Sequence, residues 1–187
     1  MARPNNSRLV ILAFLVDQPR SGYDIRKAIE ASLGNFWNES FGQIYPTLKA
    51  LEGEGLAAKA AGMPGARAQR QAYVITAAGR ACLEGWLREP ASPHTYRVET
   101  LVKLFFAGLV GPGEARAHVA RFRAEHAALV EKYRAIGVKL DQGCAGNPYL
   151  PYWKLTVDCG LTVGAAYMDW CERADAVLAR MEGDSHD

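Results

Sequence analysis

Ser40-Phe41-Gly42-Gln43-Ile44-Tyr45-Pro46-Thr47-Leu48-Lys49-Ala50-Leu51-Glu52-Gly53-Glu54-Gly55-Leu56 reads as one helix with an apolar underside and an outward face almost free of acid. Ile44, Leu48 and Leu51 recur at i, i+4 and i+7, so they share one side and face a core. A turn of about 100° per residue from Ile44 puts Gly42, Gln43, Pro46, Lys49, Ala50 and Gly53 opposite. This narrow ridge of small, amide and cationic groups suits a major groove. Ser40, with Gln43 three positions later, fits a capping box. Pro46 removes one i to i−4 bond, so either the regular helix begins near Gln43, with Pro46 in its early turn, or the helix bends there. Gly53 and Gly55 bracket Glu54 where a left-handed residue closes the helix, and Leu56 opens an extended run.

The neighbouring segments set this helix in a domain. Upstream, Leu9 to Val16 is a nearly continuous apolar run that pattern alone leaves open between buried helix and buried strand. Asn5, Asn6 and Ser7 offer N-caps, which favours helix. After a turn at Gln18-Pro19-Arg20, Ser21 caps a second helix through Leu33, with Ile25, Ile29 and Leu33 as its stripe and Gly34 as its stop. Downstream, Leu56 to Ala61 and Gln71 to Thr76 pair as two short strands around the tip Gly62 to Arg70, a wing. Thr76 then caps a fourth helix, Ala77 to about Arg88, with Cys82, Leu83, Trp86 and Leu87 as apolar positions. Helix, helix, helix, hairpin, helix is the winged form of the helix-turn-helix.

The chain resembles the PadR-like family of transcriptional regulators. The resemblance rests on Ser21-Gly22-Tyr23-Asp24-Ile25, on Gly42 to Glu52 followed by Glu54-Gly55-Leu56, on Tyr73-Val74-Ile75-Thr76 with Gly79, and on Lys103-Leu104-Phe105-Phe106-Ala107-Gly108. These motifs lie in order within the first 108 residues, while the remainder matches only in its helical pattern and its aromatic-rich final helix. The wing tip departs from the family, carrying Arg67 and Arg70 where members often have a denser Gly-Arg-Pro-Pro-Arg-like tip. The family implies a homodimeric, usually repressing regulator, with an N-terminal winged domain on double-stranded DNA and a C-terminal helical part joining the protomers.

Charge agrees with local rather than global attraction to nucleic acid. Residues 1–90 hold 11 Lys or Arg against 8 Asp or Glu, and residues 91–187 hold 11 against 12. So small an imbalance argues for placed contacts. Gln43 and Lys49 suit purine acceptors in the major groove, and Pro46 or Thr47 a thymine methyl. Ser21, Tyr23, Ser40, Tyr45 and Thr47 are the remaining polar candidates at the duplex, chiefly for phosphates, while Arg67 and Arg70 reach a flanking minor groove or the backbone. Tyr23 and Tyr45 could equally bury their rings in the domain core and show only a hydroxyl at its rim.

The second half, 91–187, reads as helix: Glu99 to Leu109, then Glu114 to about Leu140 with His118, Phe122, Leu129, Tyr133 and Ile136 as an inner stripe. Gly143 to Pro151 breaks the pattern, and Trp153 to Met181 forms a final helix. Leu155, Thr162, Tyr167, Trp170, Val177, Leu178 and Met181 give it more apolar surface than its own half can cover, so a second copy covers it. Gly160 and Gly164 would permit close backbone approach. Tyr149, Tyr152, Trp153, Tyr167 and Trp170 are candidates for stacking a small aromatic effector, though dimer-core packing uses the same residue types.

Other classes fare poorly. There is no Gly-rich phosphate loop, nucleophile elbow or His-Glu-x-x-His, so no catalytic residue and no cofactor is expected. Cys82, Cys144, Cys159 and Cys171 lack paired spacing and His94, His118, His126 and His186 are scattered, so no metal site is expected and the thiols read as reduced, in the cytoplasm. No run reaches the roughly 18 residues that span a bilayer, and no membrane partner is expected. A winged domain can also dock proteins, but Gly42, Gln43, Lys49 and Ala50 are too small and polar for such a surface. With 49% hydrophobic and 22% charged residues, the 187-residue chain is an ordinary folded composition.

Overall fold

A computed structural model of the chain describes residues 6–37, 43–60, 71–93 and 97–184. It is mainly helical and divides into two compact units, Met1–Pro93 and His94–Asp187. The first contains α1 (Ser7–Ala13), β1 (Arg20–Ser21), α2 (Gly22–Ser32), α3 (Ile44–Gly53), β2 (Ala57–Lys59), β3 (Ala72–Ile75) and α4 (Ala77–Arg88). The second contains α5 (Glu99–Phe105), a 3-10 turn at Ala107–Leu109, α6 (Pro112–Gly143) and α7 (Leu150–Asp184).

The first core forms where α1 to α3 press their apolar stripes together. Leu12, Ile25 and Leu48 are fully buried, with Val10, Ile11, Leu15, Ile29, Ile44 and Leu51 around them. The run Leu9 to Val16 is therefore helical, though only as far as Ala13. Gly34 follows α2 without a left-handed φ; the Leu33 and Gly34 amides both donate to Ile29 O. Arg20 and Ser21, read as a turn and a cap, also form a strand: Arg20 pairs with Tyr73 and Ser21 with Ala72, making the wing a three-stranded sheet in the order β1-β3-β2. Two residues are too few to show the alternation that marks a strand.

The base of the wing is tied to α4 through a glycine. Thr76 Oγ1 donates to Gly55 O at 2.7 Å and accepts from Gly79 N at 3.0 Å, capping α4. A Cβ on Gly79 would lie 2.0 Å from Leu56 O, so only glycine lets the helix approach that carbonyl. Of the four apolar positions in α4, Leu83 is buried, whereas Cys82 and Leu87 are exposed. Four apolar residues in six do not define one helical face, and packing selected Leu83.

In the second unit α6 and α7 pack antiparallel, about 48 and 52 Å long at 1.5 Å per residue. Lys154 pairs with Asp141, Arg123 with Glu172, and Arg116 at one end reaches both Asp175 and Glu182. Gly111, with φ +94°, turns the chain into Pro112 at the first position of α6. Both helices are longer than the sequence pattern suggested, because Pro112 and Pro151 sit in first turns, where the missing N–H costs nothing. The buried seam of α6 is Ala115, Val119, Phe122, Val130 and Tyr133. His118, Leu129 and Ile136, expected in the stripe, are only half-buried, since the seam runs one residue later at Val119 and Val130.

The glycines of α7 serve this hairpin. A Cβ on Gly160 would fall 2.3 Å from the Tyr133 ring, and one on Gly164 2.4 Å from Val130 Cγ2. Their small size is therefore used within the chain. Leu155, Thr162, Val177 and Met181 point outward, while Tyr167, Trp170 and Leu178 join the cluster around Val119, Phe122 and Cys171.

Candidate nucleic-acid interface

Helix α3 begins at Ile44 with Gln43 as its N-cap, and no side chain caps it. Pro46 is thus its third residue, among the four whose amides lack helical partners, so the helix starts beside the proline. At the other end Gly55 has φ +72°, Leu56 N donates to Leu51 O at 2.8 Å and Gly55 N to Glu52 O at 3.0 Å. This pair of bonds is a Schellman closure. Ile44, Leu48 and Leu51 fill the core, and Gln43, Tyr45, Pro46, Lys49, Ala50 and Gly53 are all exposed, with Thr47 half-buried beside them. The two acids at the end of α3 are paired: Glu52 with Lys59 at 3.0 Å and Glu54 with Arg8.

Helix α2 enters at the side of α3. Ser21 accepts from Asp24 N at 3.2 Å and donates its hydroxyl to Asp24 Oδ2 at 2.6 Å, while Ser21 N donates to the same carboxylate at 3.1 Å. At 4% exposure, with its hydroxyl committed to that capping box, Ser21 shapes the α2 terminus and does not offer an O–H to a phosphate. Tyr23 and Tyr45 do not bury their rings: they are 36% and 57% exposed. The Tyr23 ring carries Lys27 Nζ at 4.7 Å from its centroid. Tyr45 lies over Gly22, where a Cβ would come within 2.8 Å of its Cε1. Gly22, absent from the expected site, is what lets the two helices meet. Ser40, Arg67 and Arg70 lie outside the described residues.

The five aromatic candidates of the second unit do not form one site. Tyr149 stacks on Trp153 with centroids 6.1 Å apart, and Tyr152 is exposed. Tyr167 and Trp170 instead meet Phe122 edge-on at 5.1 and 5.8 Å, about 21 Å further along the helix at 1.5 Å per residue. Of the five, Tyr167 lines a cleft with His118, Arg121, Phe122 and His126, residues that sequence reading dispersed. Their spacing along α6 puts them on one face, and that was the available signal. Elsewhere on the same unit Leu101, Val102, Phe105, Phe106, Leu109 and Val110 are exposed, Phe105 by 82% and Leu109 by 86%. Among the described residues no three metal-binding side chains cluster, and no helix is long and apolar enough to cross a membrane.

Two family models match the chain: the transcriptional regulator PadR-like family over residues 11–85 and the virulence activator alpha C-terminal family over 96–179. The negative transcriptional regulator PadR of Bacillus subtilis is 26% identical over 182 residues, spanning 95% of this chain and 98% of that protein. A probable transcriptional regulator of Mycobacterium tuberculosis is 30% identical over 136 residues, spanning 67% and 72%. The fold is similar to that of B. subtilis PadR in complex with operator DNA, with a TM-score of 0.78 at 26% identity, covering 92% of this chain and 98% of that one. It is also similar to the same protein in complex with p-coumaric acid, with a TM-score of 0.73 at 26% identity over 94% and 98%.

Proposed function

The chain belongs to the PadR-like family of transcriptional regulators, and from that premise we propose that it is a cytoplasmic homodimeric repressor, binding a palindromic operator and released by a small aromatic effector. The observation that carries the reading is the outward arc of α3. Gln43, Pro46, Lys49 and Ala50 are exposed on a helix whose opposite side is sealed in the core, and the neighbouring carboxylates are paired with Lys59 and Arg8. In this reading residues 1–90 are the DNA-binding domain. Gln43 and Lys49 read base edges, Pro46 and Thr47 touch a thymine methyl, and Tyr23 and Tyr45 reach phosphates. Ser40, Arg67 and Arg70 complete the contact set.

Residues 91–187 are the dimerisation and effector domain. Support comes from the uncovered apolar residues on α5, the 3-10 turn and α7, a surface that soluble monomers rarely expose. A two-fold axis then sets the half-sites about 10 base pairs apart, or a multiple of that. Repression and effector release are supported by the Bacillus relative, named a negative regulator and solved with operator DNA and with p-coumaric acid.

Selecting bound duplexes from a random pool tests this and yields half-site and spacing together. Against the selected duplex, Lys49→Ala weakens binding about tenfold, from the 1–3 kcal/mol that a good base contact supplies. Wild-type affinity in both Lys49→Ala and Gln43→Ala rejects the placement.

A further inference from the structure

Helix α2 carries two carboxylates, and both are occupied. Asp24 receives the Ser21 hydroxyl and amide at 2.6 and 3.1 Å, and Glu30 receives Arg26 Nε at 2.8 Å. Elsewhere in the first unit Arg8, Lys59 and Arg88 are paired with Glu54, Glu52 and Glu84. Lys27 differs from these cations. Among the described residues no carboxylate lies within ion-pair distance of it, and its Nζ instead stands 4.7 Å from the centroid of the Tyr23 ring. The two side chains, four residues apart, share one face of α2, and both residues are exposed. The Gly22–Tyr45 contact fixes the start of α2 against the start of α3, and Lys27 follows it by about 7.5 Å along the helix at 1.5 Å per residue.

We propose that Lys27 binds a backbone phosphate of the duplex and that the Tyr23 ring is the positioning group that holds its ammonium ready. Lys27 thereby extends the DNA reading of α3, on which its role depends, with a cation from outside the recognition helix. In a helix-turn-helix the helix before the recognition helix crosses the sugar-phosphate backbone, so a cation on α2 meets phosphates and not base edges. A flexible lysine loses side-chain freedom when it settles on a fixed anion; resting on a ring, it has surrendered part of that freedom already. Its ammonium is a point charge with three donors and takes phosphate whatever the sequence. A neighbouring unpaired acid would cancel that attraction, and the commitments of Asp24 to Ser21 and of Glu30 to Arg26 remove it.

Titrating the full chain with the selected operator and with a scrambled duplex of equal length, over a series of salt concentrations, tests this role. Lys27→Gln lowers the slope of log affinity against log salt by about 0.9 on both duplexes, which is about eightfold in affinity at 0.1 M salt, and leaves their ratio unchanged. Lys27→Arg retains the slope, and each variant keeps the helical circular dichroism. In Tyr23→Phe, which keeps a ring, Lys27→Gln still costs about eightfold; in Tyr23→Leu it costs less than threefold. An unaltered slope in Lys27→Gln overturns the phosphate contact, as does a loss confined to the operator, which would make Lys27 a base reader. An equal loss in Tyr23→Phe and Tyr23→Leu overturns the positioning role of the ring. Wild-type slope in Lys27→Gln with intact operator binding defeats this contact alone, whereas a chain that binds neither duplex defeats the DNA reading of α3 together with it.

Discussion

Gly22 and Tyr45 are in close contact: a Cβ on Gly22 would stand 2.8 Å from Cε1 and 3.0 Å from Cζ of the tyrosine ring, so any larger residue there must displace that ring. The contact joins the first turn of α2 to the first turn of α3, the two helices that form the candidate interface. Gly22→Ala therefore pushes the Tyr45 ring off its seat and costs about 1 kcal/mol, the low end of the range for overpacking, because the exposed ring can swing toward solvent. Tyr45→Ala in the same chain removes the obstacle, so the double variant is more stable than the sum of single effects requires. Urea unfolding of the four proteins measures that coupling. Additive losses would show that the ring and the glycine do not constrain each other.

Along the long hairpin, Gly164 meets Val130 in the same manner, since a Cβ there would stand only 2.4 Å from the valine Cγ2. Gly164→Ala loses about 1–3 kcal/mol, and Val130→Ala added to it recovers part of the loss by opening the space. Thermal unfolding followed by helical circular dichroism reads both. A tolerated Gly164→Ala would mean that α6 and α7 slide apart freely.

Acid weakens one end of this hairpin. Arg116 Nε donates to Asp175 Oδ1 at 2.9 Å, and that bond holds the Asp175 carboxyl below the ordinary aspartate value. A depressed folded value contributes stability above the unfolded pKa, about 3.9, and the contribution disappears as the pH falls from there through the folded value. Arg116→Gln removes this increment, so its stability falls less steeply between about pH 5 and the acid limit than that of the unmodified chain. Parallel slopes in pH-resolved urea titrations would exclude the pair as a source of acid sensitivity.

Phe105 and Leu109 are the most exposed large apolar residues described on the second unit. If they are covered by a second copy, Phe105→Glu with Leu109→Glu places two charges in the contact and shifts sedimentation at micromolar concentration to the monomer. Operator affinity then falls by at least about tenfold, because each half-site is bound alone. Unchanged sedimentation would put the dimer contact elsewhere, with α7 the next surface to alter.

Much of the first unit was legible because its signals are local. Ile44, Leu48 and Leu51 carry the helix period, Gly55 supplies the left-handed closure and Thr76 the cap, and the pairing of the two wing strands follows from their closeness in sequence, while the structure supplies the register, Ala57 facing Ile75. The outward arc from Gln43 to Gly53 followed from the same period. The two-residue strand at Arg20 was not legible, since its partner Tyr73 lies far along the chain and the pairing leaves no pattern in so short a segment. Ser21 looked like a phosphate donor because its hydroxyl is common to capping and binding. Only the position of the Asp24 carboxylate shows which use prevails.

Local periodicity, caps and turn glycines thus determined which segments coil, where α3 closes and which of its sides faces outward, since each depends on residues within one or two turns. Tertiary structure alone decided what the small residues were for. Gly22, Gly79, Gly160 and Gly164 are interchangeable as letters, yet each admits a different neighbour: a tyrosine ring, a carbonyl, another tyrosine ring and a valine methyl. It also drew Arg97, Arg121, His126 and Tyr167 from three separate segments into one cleft. The reason is close packing: which atoms meet across a helix interface depends on the register of both partners at once, and neither sequence segment carries that information by itself.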